Sequence, residues 1–400
     1  AVSETTYTSL YDDKLYFTTV LKAGEGRLFK IQTLGNPRSL TDYDVCQGEY
    51  HYNSTVTISS SDTISFKCPS ILTFPQHDTL IINGGLFTTG CDTGDSLGLV
   101  AFAAETTTVS WKGLLFSGSS AVGELHYCRI DDVDTLGYNI TIDDSAYVDI
   151  RNSTIKGTKS GIKISSSGKL KTENCIFQDG KSGIYNSSGD SLWVSDCEFS
   201  DYVEAGLKSE NGFVEVSNCD FVDIETYGME ISDTRLSASY CNFDSIENYG
   251  IYTDSSKSVI DNCDFTWCED YAIYIDGHLS GSNDSNEITN CSLQTAEDSV
   301  LTGSQYGIRV DDNNSIRISD NQIKNYEQGD IKLSNSNADV IGDSIVNCTN
   351  YGIYAYNSDA DIKDCIIDTV NTGIYCNGVH RFRIKTITII ITFDMILQIT

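Results

Sequence analysis

Proline, methionine, tryptophan and histidine are nearly missing from this chain, at 3, 2, 3 and 5 of 400 residues. So few histidines, with no Cys-x-x-Cys pair among 14 cysteines, argue against a zinc site of the usual ligand spacing. Basic residues are scarce too. The 26 Lys and Arg stand against 57 Asp and Glu, a net charge of −31, which argues against nucleic acid or anionic lipid as a partner. That balance suits a secreted protein in salt-rich or Ca²⁺-containing surroundings. No run of 18 apolar residues exists, so nothing reads as a membrane-spanning helix. Amphipathic helical periodicity is missing, and the Asn-Gly and Asp-Gly turns of antiparallel hairpins are few, which disfavours a β-sandwich or propeller. The chain starts at Ala1 without a charged-then-apolar leader, and so reads as a secreted chain after signal-peptide removal.

What is abundant is a repeat. Cys175, Cys197, Cys219, Cys241 and Cys263 recur every 22 residues, in phrases such as SNCDFVDIETYGME and SYCNFDSIENYGIY. A fixed period in the twenties, rich in strand formers, is the mark of a solenoid whose core grows by stacking. Two residues after each cysteine stand Phe177, Phe199, Phe221, Phe243 and Phe265, on the same face of a strand because side chains alternate. The register continues as Cys128/Ile130 and Ser153/Ile155 upstream. Downstream it reads Cys291/Leu293, Asn321/Ile323, Ser344/Val346 and Cys365/Ile367.

Apolar residues also fall three and five places before the cysteine, as Val214 and Val216 do before Cys219. The odd step demands a bend, and the residue just before the cysteine is usually Asn or Asp (Asn174, Asp196, Asn218, Asn262, Asn290, Asp364), which tolerate a left-handed corner. A third strand follows, opened by Gly161, Gly183, Gly206, Gly228, Gly250, Gly307, Gly352 or Gly373, with Ala272 once. Three short strands per rung of about 22 residues, stacked in parallel at about 4.8 Å, predict an all-β fold, a right-handed parallel β-helix.

Taken in order, residues 1–49 alternate without repeating and predict an N-terminal β cap; 50–376 form the β-helix; 377–400 lack the corner and the glycine and form a terminal strand or cap that could offer an edge to a second copy. From Gly48 the short T-I and L-I-x-G rungs, then Trp111-Lys-Gly-Leu-Leu-Phe116 and ELHYCRI at 124–130, resemble the secreted right-handed β-helix repeat proteins of microbes. That resemblance covers about residues 48–376 and implies the fold. The group mixes surface proteins, adhesins and polysaccharide-active enzymes, so it implies no single activity. Cys263 to Cys291 is 28 residues and Cys291 to Asn321 is 30, which places loops at 276–285 and 294–305.

The outward positions of the third strand carry Tyr185, Tyr252, Tyr274, Tyr354 and Tyr375, while Tyr227, Tyr249, Tyr271, Tyr306 and Tyr351 precede the glycine or alanine. Such a stripe suits sugar rings or a protein partner, and equally suits cross-strand support. Asp276 and His278, at the first loop, join it as candidate ligand-binding residues. The cysteines from Cys175 to Cys263 read as packed thiols, because stacked Cβ vectors point alike. Cys268, Cys348 and Cys376, with Cys46, Cys68 and Cys91, are expected to be oxidised. Fragments of β-helix hydrolase motifs (Asp311-Asp312, Gly277-His278, Arg383-Ile384-Lys385) stand in the wrong order, so no catalytic residue is named and no metal or cofactor beyond Ca²⁺ is considered. The reading is a non-enzymatic extracellular or cell-surface rod, able to self-associate end to end through its C-terminal strand. Its alternatives are a polysaccharide lyase or hydrolase, with Asp276 and Asp311 in the cleft, and a glycan-binding adhesin using the tyrosines.

Overall fold

The computed structural model describes residues 5–11, 14–19, 39–40 and 43–399, apart from 91–98, 107–109, 132, 134–136, 158–159, 188, 278–284, 296–305, 314 and 379–380, with side chains over 48–390. Two compact units divide the chain, Ala1–Gly180 and Lys181–Thr400.

In the first unit Thr5–Tyr11 pairs antiparallel with Lys14–Thr19. From Ser39–Leu40 onward pairing is parallel, so the ladder begins before residue 50. The strands build three columns. One runs Val56–Ile58, Leu80–Ile82, Leu114–Ser117, Tyr138–Asp143, Ser160–Ile164. The others contain Gly85–Thr89, Val122–His126, Tyr147–Arg151 and, separately, Val100–Ala104, Cys128–Ile130, Thr154–Lys156. Inside, Tyr52 stacks on Phe74 at 5.1 Å and Phe74 on Trp111 at 4.5 Å. The indole of Trp111 is fully buried and donates to the Asp131 carbonyl (2.9 Å), which satisfies its one polar atom.

The second unit repeats the same three columns with one-to-one register. Gly212–Ser217 lies on Thr234–Ser239, Asp220–Ile224 on Asn242–Ile246, and Tyr227–Ser232 on Tyr249–Asp254. Corners form where the sequence predicts them. Asn218, Asn262, Asn290 and Asp364 adopt φ of +52, +51, +55 and +54°, and Tyr240 takes +54° at the same place. The next residue then closes the corner: Cys219 Sγ donates to the Ser217 carbonyl (3.2 Å) and Cys291 Sγ to that of Thr289 (3.2 Å). In the first unit Ser153 Oγ makes the same bond to Arg151 (2.7 Å), so the position asks for a small donor rather than for cysteine itself.

Phe199, Phe221, Phe243 and Phe265 stack inside with centroids 4.9, 4.9 and 4.7 Å apart, each pair within 5° of parallel. These rings explain the glycines. A Cβ on Gly228 would sit 2.6 Å from Phe243 Cδ1, and one on Gly250 2.6 Å from Phe265 Cδ1. The column departs from glycine at Ala272 and Asp330, whereas Gly307 and Gly352 stay glycine beside aliphatic neighbours, a Cβ there meeting Ile323 Cγ2 at 2.6 Å or Ile367 Cγ2 at 2.7 Å.

Several expectations are corrected. The cysteine-equivalent position after Asn321 is Asp343, not Ser344: the Ser344 amide bonds the Asn321 carbonyl (2.8 Å), the Ile366 amide bonds that of Asp343 (2.9 Å), and Ile323 pairs with Ile345. In residues 377–400, read as a terminal strand or cap, Phe382–Lys385 and Thr388–Ile399 pair in parallel with the rung before. Thr386, with φ of +55°, makes the left-handed corner there in place of the usual Asn or Asp. Cys268, Cys348 and Cys376 are buried free thiols, because each points inward from its strand or corner. Burial pushes the Cys376 thiol up to about 12. Cys68 is disulfide-bonded. Cys91 and the side chain of Cys46 lie outside the described residues.

Candidate functional site

Three outward columns of the third strand in the second unit form the site. The first stacks Tyr227, Tyr249, Tyr271 and Tyr306, with centroids 5.2, 5.5 and 6.3 Å apart. Register sets the second as Lys208, Glu230, Tyr252, Tyr274, Arg309, Lys332, Tyr354, Tyr375. The third reads Ser232, Asp254, Asp276, Asp311, Ser334.

The expected tyrosine stripe is therefore not continuous. Tyr252 and Tyr274 touch each other (5.2 Å) and lean on the first column, while Tyr354 and Tyr375 stack separately at 5.0 Å. Arg309 and Lys332 stand between the two pairs, and Lys208 and Glu230, held together at 2.7 Å, separate Tyr252 from Tyr185. Asp276 joins Tyr252 and Tyr274. His278 lies outside the described residues.

Arg309 is the hub. Its Nε donates to Asp311 Oδ2 (2.7 Å) and its Nη1 to the Tyr271 hydroxyl (2.8 Å), and the guanidinium lies 4.5 Å from the Tyr274 ring centre. The Tyr274 hydroxyl donates to Asp311 Oδ2 (3.0 Å). This mesh fixes the rings, so ordering them on binding costs little entropy. Asp311 is buried, and its Oδ1 has no hydrogen-bond partner.

Successive rungs hold Asp254, Asp276 and Asp311 at strand spacing, about 4.8 Å. Partial burial, then the charges of Asp254 and Asp311, raise the Asp276 carboxyl above its ordinary value. Burial, then Asp254, pushes the Tyr252 phenol up to about 12, so it stays a neutral donor. Burial and then Arg309 lower Lys332, whose ammonium stands 5.2 Å from the Tyr306 ring centre. Among the described residues no group of three or more His, Cys, Asp or Glu is arranged to hold a metal ion.

Flat rings beside carboxylates, hydroxyls and fixed cations can stack on a sugar and bond its hydroxyls. The motif fragments do not converge: Asp312 sits exposed at a corner, and Arg383 and Lys385 lie on a different column. Sequence reasoning missed Arg309 and Lys332. Aligning YGIRVD and GDIKLS with YGIYTD would have put both in the tyrosine column.

Among curated proteins none matches the sequence. Similar solved structures include the catalytic unit of a GH87 α-1,3-glucanase from Streptomyces thermodiastaticus (11% identity, 82% of this chain and 63% of that chain, TM-score 0.37). This chain thus spans less than two thirds of that enzyme. Others are the surface adhesin PfbA of Streptococcus pneumoniae (12%, 84% and 82%, 0.28) and tailspike protein 3 of bacteriophage CBA120 (10%, 86% and 56%, 0.31). TM-scores so low carry no argument about activity. The family model for a right-handed β-helix region matches residues 112–259 and 250–390, most of the chain, and with the parallel three-column ladder it establishes that the chain belongs to the right-handed β-helix family.

Proposed function

We propose that this chain is a non-enzymatic glycan-binding protein of the cell surface or extracellular space, with sugar rings seated on Tyr252 and Tyr274. The observation that carries the reading is the Arg309 mesh, which holds the half-buried Tyr274 ring beside Asp276, with the half-buried Tyr252 ring packed against it at 5.2 Å. A cross-strand support role would not need a guanidinium and a carboxylate built in among the rings.

A glycan array followed by titration of the best ligand tests this. Tyr252→Ala with Tyr274→Ala should weaken binding at least tenfold, since about 1.4 kcal/mol is one factor of ten. Unchanged affinity refutes the reading. The hydrolase alternative has its own support, the raised carboxyl of Asp276 next to Asp311. It predicts cleavage products that disappear in Asp276→Asn, and a lack of products on a broad polysaccharide panel eliminates it.

End-to-end assembly is a second reading, favoured by the last rung. Among the described residues Phe382–Lys385 and Thr388–Ile399 have a strand partner on one side each, and Ile384 and Ile390 are 43% and 54% exposed. Electron microscopy with and without residues 383–400 decides it: filaments lost on truncation support assembly, and single particles in both samples reject it.

A further inference from the structure

A second surface lies where the second strand turns into the third. Asp223, Ser245 and Trp267 occupy the same corner position on successive rungs, with φ of +53, +58 and +61°. Two residues on, Glu225, Glu247 and Glu269 form a column; each amide bonds the carbonyl of the rung before, as the Glu247 amide does to Ile224 (3.0 Å) and the Glu269 amide to Ile246 (3.0 Å). These residues enclose a groove of 390 Å³ floored by the buried Ile224 and Ile246.

Three features set the groove apart from a solvated acidic edge. Trp267 is 44% exposed, on a left-handed corner that costs a bulky side chain more than it costs the aspartate standing there two rungs earlier. Among the described residues no Lys or Arg pairs with the groove's carboxylates, and no cation lies over the indole. The floor is apolar, formed by Ile224 and Ile246, and the carboxylate column follows at about 4.8 Å per rung.

We propose that this groove docks a basic, extended peptide segment of a partner protein, with an arginine or lysine over Trp267 and further basic side chains along Glu269, Glu247 and Glu225. Charge complementarity and the exposed indole fix that choice. A guanidinium stacks on a tryptophan face better than on any other ring, its stem covers the apolar floor, and the carboxylates accept its hydrogen bonds. Three rungs span about 10 Å, the reach of three to four extended residues. No tyrosine lines the groove, although Glu225, Glu247 and Glu269 stand two residues before Tyr227, Tyr249 and Tyr271, so the proposal does not depend on the role of the tyrosines.

Trp267 is its own reporter. Of the three tryptophans Trp111 is fully buried and Trp193 half-buried, so acrylamide quenching reads mainly Trp267. Titrating the whole chain with a blocked tetra-arginine peptide should protect Trp267 from quencher, and blocked tetra-glutamate should not. Neutralising the column (Glu225→Gln, Glu247→Gln, Glu269→Gln) should weaken the peptide at least tenfold. Neutralising Glu198, Asp220 and Asp264, three exposed carboxylates on the second strand, should weaken it less than twofold for the same change in net charge. Equal loss in both triple variants would show that only the overall charge attracts the peptide and would overturn the proposal. Binding without protection of Trp267, or no binding at all, would also overturn it.

Discussion

Two stretches of the second unit share one backbone and differ in what fills it. From Cys197 to Asp276 three columns stack like on like: cysteine on cysteine, phenylalanine on phenylalanine, and Tyr227 on Tyr249 on Tyr271. From Tyr306 to Tyr356 the same register holds, yet Asn321 and Asp343 replace the cysteines, Ile323 and Ile345 the rings, Asp330 a glycine, and Arg309 and Lys332 two tyrosines. Corners and ladder bonds therefore set the register, and identity within a column is free to change. The second stretch uses that freedom to bring charge into the aromatic face. It also places acids inside. Both oxygens of the fully buried Asp330 lack hydrogen-bond partners, and burial raises its carboxyl well above the usual range.

The largest effect should come from breaking the first stretch. Phe243→Ala removes the centre of the ring stack and should cost about 3–5 kcal/mol, whereas Ile345→Ala in the second stretch should cost about 2–5 without the ring-stacking share. Urea midpoints for the two variants give the comparison.

Next comes the acid in the cysteine column. Asp343 accepts from the Asn321 amide (2.9 Å) and Nδ2 (2.8 Å), its other oxygen has no partner, and burial raises its carboxyl to about 7. A folded-state value above the unfolded value means that protons favour the folded chain. The contribution of Asp343 to stability is then fully present below about pH 4 and is lost as pH rises through about 7, by about 4 kcal/mol in all. Asp343→Asn removes that slope. The variant should melt higher than the parent at pH 8, with the gap closing towards pH 4, and calorimetry across that range checks it. A gap that widens on acidification would contradict the assignment.

The smallest effect tests the corner. Tyr240 is 62% exposed and left-handed where its neighbours in the column are Asn218 and Asn262. Tyr240→Asn should stabilise by about 0.5–1 kcal/mol, read as a small upward shift in midpoint.

Period, corner chemistry and the inward Phe-Ile pattern were legible in the sequence because each depends on residues close in the chain. What was not legible depends on neighbours 22 to 38 residues away. Asp343 was passed over for Ser344 because a small hydroxyl looks the better occupant of an interior column. Arg309 looked like an isolated charge until register put it between Tyr274 and Lys332, and its hold on Tyr271 arises only through stacking. The last strands carry no Asn-Cys phrase, and Thr386, with φ of +55°, takes the left-handed corner there instead.

The most direct measurement is a crystal structure of the whole chain soaked with the best oligosaccharide from the array. The account predicts sugar rings against Tyr252 and Tyr274, with hydroxyls bonded to Asp276 or Asp254. A sugar bound on another face, with these rings bare, would contradict it.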